Sequence, residues 1–358
     1  MNKHGGYYGA KQDVIDFSVN INPLGVSKKL EQTIVDGIKQ IHKYPEIDGK
    51  STIEYIANHY NLKNDELVLG NGAIDLIYLF ARALKPKKVL VIQPTFNEYK
   101  RAFKLIGSKI YEYILNTDKF ELDVKELINY MHELKPDVVV ICNPNNPTGT
   151  YHDICKMNEI LEAVKEINSI LFVDESFIEF SNKESLIKYV SSYPLFILRS
   201  MTKFFAVPGL RLGFGVSNKN IIAKMNEYKE PWSVNYLSLI SVPVLLENQE
   251  YINKTLDWYK AEKEYVYDNL KELEAIKVYK SSTNFHLCKV KESNAELLKD
   301  KLLKKGIYIR TCEDFSGLDN TFFRLALKKH EDNEKLICAL KETARGEIDE
   351  HNTCDRWS

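Results

Sequence analysis

Short apolar runs separated by segments of helical length constrain this chain more than any other feature. From about residue 65 they read ELVLG (66–70), KKVLVIQP (87–94), PDVVVICNP (136–144), SILFVDE (169–175), LFILRS (195–200) and RLGFGV (211–216). A strand that is apolar along its whole length is buried on both faces. Stretches such as AIDLIYLFARAL (73–84) and DICKMNEILEAVKEI (153–167) have the period and length of the helices that would cover it. The pattern predicts an α/β fold with a mainly parallel sheet between helices. Sheets of this kind bind ligands beyond the carboxyl ends of their strands. The unusual residues fall there: Gly70, Asn71, Gly72 and Ala73 after one run, Pro94 to Phe96 after another, then Asn143 to Gly149, Asp174 and Lys203.

Other function classes fall away on composition. The chain has 358 residues, 44% of them hydrophobic, and a formal net charge of −1, enough for a large core and more than one lobe. Acidic and basic residues are interspersed, so no basic stripe exists to follow a phosphate backbone, and nucleic acid is not expected as a partner. The start MNKHGGYYGAKQD lacks the apolar stretch of a signal peptide and no later run approaches a membrane span, which points to the cytoplasm and away from a membrane. Six cysteines without a C-x-x-C pair suggest neither a disulfide framework nor a metal site, and most read as small buried hydrophobes.

The expected organisation is an arm over 1–25, a first part of a small domain over 26–48, a large domain over 49–245 and a connecting helix over 246–273. A small α+β domain over 274–345 and a frayed polar tail over 346–358 complete it.

The stretch SMTKFFAVPGLR (200–211) carries most of the chemistry. Lys203 stands among Met201, Phe204, Phe205 and Ala206, and a desolvated amine has a lowered pKa and attacks carbonyls. Asp174 ends a buried run, where a carboxylate needs a cation or a donor. Ser200, Thr202, Arg211 and the amides of GNGA (70–73) are donors suited to a phosphate. Singly, these residues have ordinary readings as a helix cap, a snorkelling side chain and a turn. Together they describe pyridoxal 5'-phosphate, whose ring accepts electron density when its nitrogen is kept protonated by an acid such as Asp174.

With NPNNPTG (143–149), Asp174, Lys203 in S-x-T-K and Arg211 eight residues on, the sequence resembles the fold-type I aminotransferase superfamily. The resemblance implies a seven-stranded sheet with a smaller C-terminal α+β domain. It also implies that Asn146 contacts the cofactor's 3-hydroxyl and that Phe96 stacks on its ring. Tyr44 in KYPEIDG resembles the tyrosine that reaches the cofactor phosphate of a neighbouring subunit, which implies a homodimer with shared active sites. HGGYYG (4–9), DFSVNINPLG (16–25), EPWSVN (230–235) and YIRTCEDFSGLD (308–319) before FFRLAL make the chain similar to the threonine-phosphate decarboxylases of cobalamin biosynthesis. Histidinol-phosphate aminotransferases are near relatives that usually lack the HGG arm.

That resemblance implies a phosphorylated amino acid as substrate, held by His4, Gly5 and Asn20 of the arm with Asn146, Arg310 and Arg324. Threonine phosphate is the expected substrate, with phosphoserine or a phosphonate analogue as alternatives and 2-oxoglutarate-dependent transamination as the alternative reaction. One departure bears on this choice. Aminotransferases of this type usually carry a tyrosine three residues after the aspartate, and here Phe177 removes that donor to the 3-hydroxyl.

Overall fold

The computed structural model of the protein describes residues 4–10 and 13–354, with side chains as far as Thr343. The arm carries β1 (Ile15–Asp16). The large sheet follows as β2 (Leu67–Asn71), β3 (Lys88–Gln93), β4 (Lys109–Ile114), β5 (Val138–Cys142), β6 (Ile170–Asp174), β7 (Leu195–Ser200) and β8 (Leu212–Ser217). These seven lie in the order β2-β8-β7-β6-β5-β3-β4, parallel throughout except for β8, which runs antiparallel to both neighbours. The expected fold class is therefore the observed one.

Period-two alternation inside these apolar strands feeds two cores. Along β5, Val138, Val140 and Cys142 pack with Phe80, Phe103 and Phe172, while Val139 and Ile141 pack with Leu127, Met131 and Ile160 on the other face. The covering helices start at side chains that accept a backbone N–H: Asp123, Asp153, Asn218 and Asn235 all do so. With both faces covered, the carboxyl edge is where β5 and β6 deliver Cys142 and Asp174 in register and β7 runs two residues past Leu198, the partner of Asp174, to Ser200.

After the helix Gln249–Lys271, a smaller sheet forms from β9 (Ile276–Val278), β10 (Phe285–Val290), β12 (Arg310–Thr311) and β13 (Phe322–Ala326), all antiparallel. The remaining strand, β11 (Ile307–Tyr308), pairs in parallel with β1. Ala326 N also donates to Phe17 O at 2.8 Å. The arm is thereby stitched to the small lobe.

Two boundaries differ from expectation. The helix Lys28–Ile38, read as part of the small domain, packs on the helix Tyr236–Glu247 of the large one. Gly37 permits this approach, since a Cβ there would lie 2.4 Å from Ile240 Cδ1 and 3.0 Å from Leu237 Cδ2. The expected frayed tail is helical through Cys354, as the last turns of His330–Cys354, and only 355–358 lie outside the described residues. Polarity alone misled there, because Glu, Arg and Ala are good helix formers.

Candidate active site

A cavity of about 760 Å³ opens at the carboxyl edge of the large sheet and runs to the small lobe. It brings together His4, Gly5, Asn20, Ala73, Phe96, Asn146, Asp174, Phe177, Ser200, Thr202, Lys203, Arg211, Arg310 and Arg324. Residues from widely separated parts of the sequence, from the arm to the small lobe, thus meet in one place.

At its floor, Asp174 ends β6 with both oxygens engaged. Oδ2 accepts from the Tyr99 hydroxyl at 2.6 Å and Oδ1 from Ser176 N at 2.8 Å. Burial, helped by the Asp174 charge, holds the Tyr99 phenol well above its usual range, so it stays a donor. Beside it, Lys203 Nζ lies 3.1 Å from Ser200 Oγ and 5.5 Å from the centre of the Phe177 ring. Burial pulls the amine below the usual lysine range; the Asp174 charge works against this and the Arg211 charge with it. The lysine's loop is fixed from the arm: Asn22 N donates to Lys203 O at 3.0 Å and Asn22 Nδ2 to Phe204 O at 2.8 Å.

An anion cup adjoins the lysine. Ser200 Oγ and Thr202 Oγ1 are 2.9 Å apart, and Arg211 reaches across to the start of the helix Ala73–Leu84, whose first amides have no intrahelical acceptor. Gly72, with φ +83°, makes room for this: a Cβ there would sit 2.5 Å from Arg211 Nη2. The rest of the predicted GNGA cup differs in detail. Gly70 lies in β2 with its missing side chain against Leu76, and exposed Asn71 turns its N–H to Asp75 Oδ2 at 2.9 Å, so the cavity wall begins at Ala73. Tyr44 is also absent from this wall. It is 85% exposed, its ring 5.3 Å from that of Trp232.

The opposite wall is cationic. Arg310 and Arg324 are buried and face each other directly across β12 and β13. Like charges in that register repel. Burial first, and Arg310 in addition, push Arg324 down to about 10. Arg324 donates to Asn146 Oδ1 and, at 2.8 Å, to Ser18 O, while Arg310 Nη2 pairs with Asp314 Oδ2 at 2.8 Å. The arm closes over this wall. Gly5 presses on Ser18, where a Cβ would be 2.4 Å from the carbonyl oxygen, and Gly6 N donates to Ser18 Oγ at 2.8 Å. Asn20 holds its place through its carbonyl, which accepts from Asn284 Nδ2 at 2.9 Å.

The sequence reading missed the residues that finish the site. Tyr99 and Glu98 open the helix Glu98–Leu105 directly after Pro94 to Phe96, and that helical spacing was the available signal. Glu98 is buried in the cavity wall, takes the Tyr78 hydroxyl at 2.6 Å and meets His4 Nε2 at 3.2 Å and Arg101 Nη1 at 3.3 Å. Behind the floor, buried Arg199 pairs with Glu175 at 2.8 Å and Glu179 at 3.3 Å, tying together the chain next to Ser200 and Asp174.

The donor set fits one group. An amine poised for a carbonyl, a carboxylate with a permanent donor, a phenyl ring at Phe96 and a glycine-cleared anion cup are all used at once by pyridoxal phosphate. The site is thus that of a pyridoxal-phosphate enzyme. The chain belongs to the aminotransferase class I and II family, which matches residues 12–340, and it is pyridoxal-phosphate dependent. A protein of Caldanaerobacter subterraneus subsp. tengcongensis, provisionally named threonine-phosphate decarboxylase, is 38% identical over 95% of this chain and 93% of its own length. The threonine-phosphate decarboxylase of Salmonella typhimurium is 33% identical over 93% and 92% of the two chains. A histidinol-phosphate aminotransferase of Methanosphaera stadtmanae is also 33% identical, over 94% and 92%. Among solved structures, the histidinol-phosphate aminotransferase of Clostridium acetobutylicum superposes with a TM-score of 0.87 at 35% identity, covering 92% of this chain and 99% of that one.

Proposed function

We propose that this chain decarboxylates an O-phosphorylated L-amino acid, threonine phosphate giving 1-amino-2-propanol phosphate for a cobamide side chain, with phosphoserine as a second substrate. The observation that carries the reading is the Arg310–Arg324 register. Two buried guanidiniums set opposite one another are stabilised by an oxyanion between or beside them, and a phospho-amino acid brings two such groups. The relatives named threonine-phosphate decarboxylase, and an arm whose His4 and Gly5 line the same cavity, support the same choice.

In this reading Lys203 holds the cofactor's aldehyde carbon and Asp174 its ring nitrogen. Ser200, Thr202, Arg211 and the helix start at Ala73 hold its phosphate, Asn146 its 3-hydroxyl and Phe96 its face. When bound, pyridoxal phosphate draws electrons from whichever bond at the substrate's Cα stands perpendicular to its ring. The protein's task is orientation. Arg310, Arg324 and the arm fix the substrate's two anions so that the Cα–carboxylate bond takes that position, and the arm keeps water out. Lys203, as ammonium, then delivers a proton to Cα once carbon dioxide has left.

The same residues serve a transaminase if the Cα–H bond is the one aligned, and the likeness to histidinol-phosphate aminotransferases keeps that as the second reading. Homodimerisation is part of the proposal: Val35, Ile38, Ile41, Tyr44, Ile47 and Trp232 are exposed apolar groups, a surface suited to a second copy whose cavity Tyr44 would enter.

The test is incubation of the purified holoenzyme with O-phospho-L-threonine and O-phospho-L-serine, without a keto acid. Carbon dioxide and the phosphorylated amino alcohol are the expected products. Turnover that requires 2-oxoglutarate and yields a keto acid, with no amino alcohol phosphate, overturns it.

A further inference from the structure

Asparagine opens several helices of this chain, and at one of them it is used differently. Asn218, Asn235, Asn248 and Asn294 each accept a backbone N–H of the helix they begin. Asn97, at the start of the helix Glu98–Leu105, caps nothing with its side chain. Its Nδ2 crosses instead to the small lobe and donates to Asp314 O at 2.9 Å and to Asp314 Oδ2 at 3.1 Å. A helix start without its side-chain cap is less stable, so the contact made in its place calls for a reason.

What Asn97 reaches is the partner of an arginine in the active-site wall. Asp314 Oδ2 also accepts from Arg310 Nη2 at 2.8 Å, and the guanidinium carbon of Arg310 lies 5.3 Å from the centre of the Phe315 ring. One loop between β12 and β13 thus holds Arg310 by a carboxylate and by a ring. The large lobe grips that loop at further points. Lys100 Nζ donates to Ser316 Oγ at 2.6 Å, and Gly317, at φ +86°, lies so close to β4 that a Cβ would be 2.7 Å from Ile114 Cγ2. Asp314 Oδ1 is buried without a hydrogen-bond partner among the described residues, so the carboxylate is committed through Oδ2 alone, to Arg310 and Asn97 at once. Arg324 Nε is likewise buried and unpartnered, which leaves the wall short of an acceptor oxygen such as a substrate carboxylate brings.

The reaction makes this arrangement consequential. The bond that breaks is the one perpendicular to the cofactor ring, and the residues proposed to hold that ring, Lys203, Asp174 and Phe96, belong to the large lobe. The guanidiniums proposed to hold the substrate carboxylate belong to the small lobe. The angle between bond and ring is therefore set between the lobes, and a shared contact at the arginine's own partner is where it can be fixed.

We propose that Asp314 is a positioning residue that decides which substrate bond breaks, aiming Arg310 at the carboxylate and, through Asn97, tying that aim to the large lobe. The inference rests on the reading of Arg310 and Arg324 given above. It adds two residues that touch neither substrate nor cofactor and act through Arg310 alone.

The experiment is product analysis of the holoenzyme with O-phospho-L-threonine and 2-oxoglutarate together, in wild type, D314A, D314N, N97A and N97A/D314A. Amino alcohol phosphate reports decarboxylation and glutamate reports transamination. The ratio of the first to the second should fall at least about tenfold in D314A and in N97A. The double variant should be no more than about twofold worse than D314A, because both residues act through one oxygen. D314N, which keeps an acceptor for Arg310, should fall between wild type and D314A. Affinity for pyridoxal phosphate should stay within about twofold throughout. A product ratio unchanged in both D314A and N97A, with only KM or total turnover altered, overturns the inference whichever product the wild type makes. A wild type that transaminates overturns the decarboxylase reading instead, and supports this inference if D314A then shifts the ratio at least about tenfold towards carbon dioxide. Should D314A lower the thermal midpoint, N97A decides alone, since its side chain caps no helix N–H.

Discussion

His4 Nε2 stands 3.2 Å from Glu98 Oε1, and this contact joins the chain's arm to the helix Glu98–Leu105. A buried carboxylate in a cavity meant for anions is unfavourable unless a cation stands between it and the ligand. Here the Arg101 guanidinium lies 3.3 Å from Oε2, His4 Nε2 meets Oε1, and the Tyr78 hydroxyl donates to Oε2 at 2.6 Å. Glu98 is therefore a post on which the arm closes.

Glu98→Gln should loosen that closure. We expect KM for O-phospho-L-threonine to rise about tenfold, equivalent to about 1.4 kcal/mol, with kcat within about twofold. His4→Ala should do the same, and the double variant should be little worse than either, because the two act through one contact. Full additivity of the two effects would remove Glu98 from this role. Hydrogen exchange at Gly5 to Gly9, faster in Glu98→Gln, checks arm docking without reference to any substrate.

Gly72→Ala tests the anion cup. The added Cβ would approach Arg211 Nη2 at 2.5 Å, and the backbone at φ +83°, ψ 162° lies in a region essentially reserved for glycine, which costs another residue about 1–3 kcal/mol. The guanidinium must then shift out of the cup proposed to hold the cofactor phosphate. Affinity for pyridoxal phosphate, read from the absorbance of reconstituted apoprotein, should fall about tenfold or more, with a smaller loss of thermal stability. Unchanged affinity would mean that the cup is formed elsewhere.

Much of this site was legible in the sequence, for a physical reason. The carboxyl ends of neighbouring parallel strands bring Asp174 and Ser200 to one edge of the sheet whatever the helices do, so a strand pattern plus local chemistry was enough. The cup, the lysine and the two arginines followed. Glu98 and Tyr99 were not legible, because their partners lie 94 and 75 positions away and only the folded chain shows which helix face turns inward. The packing of the helix Lys28–Ile38 on the large lobe was hidden for a similar reason: Ile240, which Gly37 lets approach closely, is far away in the sequence. His152 gave no signal at all in a sequence that had no reason to bury it.

That histidine makes stability depend on pH. Burial, with the Lys156 charge, pushes its imidazole from 6.5 down to about 4. The unfolded chain takes up the proton near pH 6.5 and the folded chain only near 4, so its contribution is complete above 6.5 and lost as pH falls through 4. The loss is about 3 kcal/mol over that window. Urea unfolding of the wild type in phosphate-free buffer at pH 7 and pH 4 should show this drop on top of that from other groups. His152→Gln, which cannot charge, should show a correspondingly smaller one. Equal pH dependence in the two proteins would place the imidazole in contact with water.

Phe177 bears most directly on which reaction the site performs. Its ring is 5.2 Å from that of Phe285 at nearly a right angle and 5.5 Å from Lys203 Nζ, so a para-hydroxyl would enter the space where the cofactor's 3-oxygen is expected. A donor at that point favours the deprotonated chromophore, since it stabilises negative charge on the oxygen. Phe177→Tyr should therefore lower the pH at which the bound cofactor's visible absorbance changes. If, as proposed, Arg310, Arg324 and the arm rather than Phe177 orient the substrate carboxylate, decarboxylation should persist with kcat reduced by no more than about tenfold. A pH titration of the holoenzyme spectrum, paired with product analysis with and without 2-oxoglutarate, measures both. A Phe177→Tyr enzyme that exchanged decarboxylation for transamination outright would show that this one hydroxyl, and not the grip on the carboxylate, selects the bond that breaks.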